Sequence, residues 1–138
     1  MNGKTISEIR VGDKAVFEKT ITEADVILFA GVTGDMNPVH INDVYAKKSM
    51  FHGRIAHGGL VAALFSTVLG TQLPGKGTIY MHQDSKFIKP VYIGDTITAE
   101  VEVEEIILEK GRVILKTTAV NQNGEACVVG YATVMPPR

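Results

Sequence analysis

Hydrophobic and polar positions follow two different periods along this chain, and the change falls after Pro74-Gly75. In the first half, "TITEADVILFAG" sets Thr22 ahead of an apolar group, Val26, Ile27, Phe29 and Ala30, with Asp25 three residues after the threonine. That spacing predicts a capping box opening a short helix. The stretch "HGGLVAALFSTVLGTQLPG" carries no Asp, Glu, Lys or Arg. Its apolar residues fall on every face, so the pattern predicts a helix from about Gly58 to Leu73, buried all round and stopped at Pro74-Gly75. Leu60 to Leu73 is shorter than the about 20 residues a bilayer span requires, which places this helix in a core.

Further on the period becomes two. "TITAEVEVEEI" sets Ile97, Ala99, Val101 and Val103 against Thr96, Thr98, Glu100, Glu102 and Glu104, the mark of a strand with one wet face. "RVILKTTAVNQ" and "EACVVGYATVM" continue as strands, joined through Glu109-Lys110-Gly111 and Asn123-Gly124. With "AVFEKTIT" before the first helix and "TIYMHQDSKFIKPV" after the second, about five strands result. One antiparallel sheet covers a charge-free helix only by curling around it. The predicted fold class is therefore α+β, a hot-dog fold: a curled antiparallel sheet wrapped around a central buried helix. With no repeat or linker, residues 1–138 read as a single domain, long enough to bury roughly two-thirds of its unfolded surface. A curled sheet ends in open edges, and joining two sheets edge to edge in a homodimer closes one of them.

Composition narrows the partners. Fourteen Lys and Arg face fifteen Asp and Glu, and no basic cluster exceeds Lys47-Lys48. Such a surface lacks the footprint of nucleic-acid or anionic-membrane binding, so neither is predicted as a partner. The single cysteine, Cys127, lies in the apolar run "ACVVGYATV", permits no internal disulfide and reads as a small buried hydrophobe. Together with an opening, "MNGKTISEIRVGDK", that has no apolar signal core, it predicts a cytoplasmic protein.

Candidate chemistry gathers in "GVTGDMNPVHIND", Gly31 to Asp43. Asn37 precedes Pro38, which steers Asn37 out of helical geometry and predicts a non-helical bend able to turn Asp35 and His40 toward one cavity. A carboxylate and an imidazole together hold one water and move its protons. The same residues also make turns, with His40 on the surface, and spacing alone leaves both readings open. His52 and His57 have Gly53 between them and no third ligand nearby, so no metal is predicted. His82 reads as a strand residue. Lys76, in "LPGKGTIY", lacks the spacing of a phosphate loop and reads as a solvated charge.

The run "FAGVTGDMNPVHINDVYA", Phe29 to Ala46, resembles the signature of the MaoC-like (R)-specific enoyl-CoA hydratases: an aromatic, a small or apolar pair, Gly-Asp-x-Asn-Pro, an aliphatic and a His. "RIAHGGLVAALFSTVLGTQLPGKGTIY", Arg54 to Tyr80, is similar to that family's central helix and following loop, and "KPVYIGDTITAEVEV" extends the resemblance over most of the chain. The resemblance implies reversible hydration of a trans-2-enoyl-CoA, an acyl-CoA thioester, to an (R)-3-hydroxyacyl-CoA without metal or redox cofactor. It implies Asp35 and His40 as the catalytic pair activating one water, the Gly58 N–H as the oxyanion donor, and Asn37, Ser66 and His57 in support. Each has a structural alternative: tight helix packing at Gly58, a hydroxyl bonded to its own helix at Ser66, a shaped turn at His57. An acyl-CoA thioesterase, a 3-hydroxyacyl-carrier-protein dehydratase and a non-catalytic acyl-binding subunit are the competing functions. The "GDMNPVH" run speaks against the thioesterase, and the intact pair against the non-catalytic subunit.

Overall fold

The computed structural model describes residues 1–138. A 3₁₀ turn at Ile6–Glu8 leads into β1 (Lys14–Thr20), then come α1 (Glu23–Thr33), α2 (Pro38–Ile41), α3 (Asp43–Lys48) and α4 (Gly58–Thr71). Four strands complete the chain: β2 (Ile79–Phe87), β3 (Thr96–Ile107), β4 (Arg112–Val120) and β5 (Ala126–Met135). All five strands pair antiparallel in one sheet of order β1-β3-β4-β5-β2.

The alternation read from the sequence decides which face of the sheet turns inward. On β3, Ile97, Ala99, Val101 and Val103 are buried while Glu104 is exposed and the intervening Thr and Glu residues are half-buried. Val113, Leu115 and Ala119 of β4 and Ala132 and Val134 of β5 continue that inner face. Val61, Leu64, Phe65, Val68 and Leu69 of α4 pack into the same cluster, so the sheet wraps the helix in the hot-dog arrangement.

Burial of α4 departs from the expectation. Gly59, Ala63, Ser66 and Gly70 form an exposed stripe along it, and the helix stops at Thr71 rather than Leu73. The sheet covers one side of the helix, and the opposite side carries residues too small to add much apolar surface.

On α1 the capping box forms as predicted: Thr22 Oγ1 accepts the Asp25 N–H at 3.1 Å and the Asp25 carboxylate accepts the Thr22 N–H at 2.9 Å. Its apolar stripe is narrower than expected. Val26 and Ala30, one turn apart, are buried, whereas Ile27, a hundred degrees around the helix, is half exposed. Cys127 is fully enclosed, and burial pushes its thiol above the usual range. Lys76 is exposed and His82 lies on a strand, as read, and His52 and His82 are exposed too.

β1 and β2 are the edges of the sheet, and on β2 Ile79, Tyr80, Met81 and Phe87 are exposed. No helix is long and apolar enough to cross a membrane.

Candidate active site

The segment bearing Asp35 and His40 begins where α1 ends. Gly34 takes φ 78°, a left-handed conformation that suits glycine, and its N–H closes the helix on the Ala30 carbonyl at 2.8 Å. The turn delivers Asp35 to the surface, where its Oδ1 accepts the Asn37 N–H at 3.2 Å. Asn37 is extended, with φ −52° and ψ 123°, as the residue before Pro38 prefers, and its side chain caps α2 through the Val39 N–H at 3.3 Å. The expected non-helical bend spans Gly34 to Asn37. The next four residues coil into α2, which carries His40 inward to a buried position.

A loop from the other side of the site grips this segment. Arg54 Nε–H donates to the His40 carbonyl at 2.7 Å, and the Ile55 N–H donates to the Val39 carbonyl at 3.3 Å. The ring of His40 answers by donating from Nδ1 to the Ile55 carbonyl at 2.7 Å, and His57 Nε2 donates to the Asp35 carbonyl at 3.0 Å. Arg54 is itself pinned to Glu23 of α1 at 2.6 Å. The motifs in the sequence mark no role for the Arg54 side chain or the Ile55 carbonyl. A lone arginine opening a long uncharged block was the available signal.

These bonds set the chemistry of His40. A carbonyl oxygen only accepts, so Nδ1 carries the hydrogen and Nε2 keeps a lone pair free to act as a base. One side-chain oxygen of Asp35 and one ring nitrogen each of His40 and His57 lie within 4.8 Å of one another. Two hydrogen bonds of about 2.8 Å meeting at a water's near-tetrahedral angle span about 4.6 Å, so one water fits between the carboxylate and an imidazole. Zinc fits less well. The His40 and His57 rings stack with centroids 3.9 Å apart and planes 28° apart, which sets their nitrogen lone pairs side by side instead of converging on a tetrahedral centre.

The start of α4 faces the same region. His57 is its N-cap and makes no side-chain capping bond, so the first-turn N–H groups of Gly58 and Gly59 have no intrahelical acceptor and sit at the positive end of the helix dipole. A Cβ on Gly58 would lie 2.8 Å from the Phe87 ring, and one on Gly59 would lie 3.3 Å from Phe29. Tight packing and a bare N–H therefore coexist at Gly58. Beside it opens an apolar cavity of about 510 Å³ lined by Phe51, Val61, Phe87, Val91 and Val128 among others. Ser66 lies on the exposed stripe of α4. The side-chain hydrogen bonds of Asp35 and His40 run to Asn37 and Ile55, so Ser66 is joined to neither.

A sheet curled around one helix, with a carboxylate and an imidazole on a segment beside the helix N-terminus, defines a hot-dog domain equipped for proton transfer. The chain belongs to the MaoC like domain family, which matches residues 7–126. It is 48% identical to the (R)-specific enoyl-CoA hydratase of Rhodospirillum rubrum, over 94% of this chain and 90% of that protein. With the (R)-specific enoyl-CoA hydratase of Aeromonas caviae it shares 43% identity over 94% and 96% of the two chains. Among solved structures, the unliganded R-hydratase PhaJ1 of Pseudomonas aeruginosa aligns with a TM-score of 0.94 at 44% identity, covering 99% of this chain and 88% of that one.

Proposed function

We propose that Asp35 and His40 bind and activate one water for addition to the double bond of a trans-2-enoyl-CoA, yielding an (R)-3-hydroxyacyl-CoA, and that they catalyse the reverse dehydration. The observation that carries this is the one-water gap between the Asp35 carboxylate and the imidazoles, beside a His40 whose Nδ1 is already engaged. Water is too weak a nucleophile for C3 until a base takes its proton. His40 Nε2 is that base, with Asp35 orienting the water. As the C3–O bond forms, the C2–C3 π electrons move onto C2 and the thioester oxygen. The Gly58 N–H and the helix dipole stabilise the charge on that oxygen until the pair returns a proton to C2. The net change is one water added, with no electron transferred, so the chemistry requires no redox cofactor, and the pair supplies the activation a metal would otherwise give.

Residues 1–138 make up one hydratase domain in this reading, and the enclosed thiol of Cys127 suits a reducing cytoplasm. The exposed Ile79, Tyr80 and Met81 on the open edge of β2 support a homodimer. Sedimentation at micromolar concentration is expected to give a dimer. A monomer would contradict the edge-to-edge pairing.

The direct test is crotonyl-CoA: enoyl absorbance falls without release of free thiol. Thiol release in place of hydration would make the protein a thioesterase and overturn the reading. The oxyanion role has its own test in Gly58→Pro. Proline is tolerated at the first helical position, and His57 at φ −58° and ψ 134° already has the geometry of a residue before proline. The substitution removes the N–H while α4 remains, and because a Cβ at 58 also displaces Phe87, the loss is read against Gly58→Ala, which displaces Phe87 but keeps the N–H. The expected loss of kcat is about 10²- to 10³-fold, the usual effect of deleting one oxyanion donor.

A further inference from the structure

His57 is the most enclosed polar side chain of the site, with 1% of its surface exposed, yet its Nδ1 has no hydrogen-bond partner. A buried nitrogen without a partner is destabilising, and an aliphatic residue would avoid that cost. Imidazole contributes two things here that an aliphatic residue does not. One is the Nε2–H that holds the Asp35 carbonyl at 3.0 Å. The other is a pair of flat faces. The ring packs against Phe29, with centroids 4.8 Å apart and planes tilted by 52°, and stacks on His40 at 3.9 Å. These three rings come from α1, the N-cap of α4 and α2, so the aromatic contacts tie those three elements together.

Hydrogen-bond bookkeeping assigns the tautomer. Nε2 faces a carbonyl and carries the hydrogen, while Nδ1, with no acceptor within reach, is a bare lone pair on a neutral ring. When His40 takes the proton of the water it becomes a cation lying against the electron-rich face of that ring, away from solvent, where such contacts are strongest. A cationic residue at 57 would repel the imidazolium, and an aliphatic one would offer no aromatic face.

We propose that His57 is a positioning residue for hydration: as the neutral Nε2–H tautomer it fixes Asp35 through its backbone and supports, ring against ring, the imidazolium that His40 becomes. This rests on the assignment of Asp35 and His40 above and adds a residue that acts through both.

Two measurements on the full chain test it. In ring ¹H–¹⁵N correlation spectra of the wild-type protein, which need no turnover, His57 should show Nε2–H with a bare Nδ1 and His40 the reverse. The opposite tautomer at His57 overturns the proposal, and this holds even if every variant at 57 fails to fold. In the second measurement, His57→Gln keeps an N–H but loses the face, and His57→Phe keeps the face but loses the N–H. Each should lower kcat on crotonyl-CoA about tenfold, the scale of one desolvated cation–ring contact or one hydrogen bond, with KM changed by less than about twofold. Wild-type kcat in both folded variants, or kcat and KM worsening in parallel as in a loosened site, would sink the idea. If the wild-type protein hydrates no enoyl-CoA, the assignment of the pair fails first. The proposal fails alone when the wild type is active and the spectrum or the variants go the other way.

Discussion

Replacing Asp35 by Asn or His40 by Ala is expected to lower turnover of crotonyl-CoA by roughly 10²- to 10⁴-fold, the range attributed to general acid-base groups, without loss of the fold. Asn at 35 has nearly the shape of Asp and keeps an oxygen for the Asn37 N–H, so its only change is the loss of charge at an exposed position. Its thermal midpoint should match that of the wild type. His40→Ala does more: it removes the ring donor from the part-buried Ile55 carbonyl, a hydrogen bond worth about 1 kcal/mol, so this variant should melt earlier while remaining folded. If both groups act on one water, as proposed, the double variant should lose far less than the product of the two single losses. Steady-state kinetics and circular dichroism on the same samples read both quantities. Near-full activity in either folded single variant would remove the pair from the mechanism.

The parts of this molecule that were legible in its sequence are those whose cause is local. The alternation on β3 is a local pattern, and Ile97, Ala99, Val101 and Val103 are buried where it put them. So is the capping box at Thr22 and Asp25, because both partners lie within one turn. The freedom of α4 from charge identified the central helix, but hydrophobicity says only that a face tolerates cover. It does not say which face is covered, and Gly59, Ala63, Ser66 and Gly70 lie on the one the sheet leaves open. At the site, the spacing in "GDMNPVH" left a turn and a water-handling pair both open and only the family resemblance pointed to the pair, whereas its geometry depends on partners 14 to 22 positions away. Each of the bonds to those partners ends on a backbone carbonyl, of Ile55, His40 or Asp35, and a carbonyl is a group every residue has and no sequence pattern marks. Phe29 shows the same limit. Its place in the motif was visible, but its packing against His57 exists only once α1 and α4 are brought together.

Hydration should give the (R) alcohol alone, and the reason is that each group defining the reacting face is held independently. In the proposed reaction the thioester oxygen is placed by the N–H of Gly58, the first residue of α4, which packs on Phe87. His40 cannot swing to the other face of the substrate, because its Nδ1–H is tied to the Ile55 carbonyl and its backbone to Arg54, while the His57 ring covers one of its sides. Asp35 is anchored through its carbonyl to His57. Three fixed points leave the activated water one approach to C3, and if the same pair returns the proton to C2 from that side, the addition is syn. To measure this, crotonyl-CoA is hydrated with the purified protein and the product is offered separately to (R)-specific and (S)-specific 3-hydroxyacyl-CoA dehydrogenases. Oxidation by the (R)-specific enzyme alone is the expected result. Oxidation by the (S)-specific enzyme alone would mean that water reaches the opposite face of C3, which Asp35 and His40, held as they are, do not reach while Gly58 binds the carbonyl.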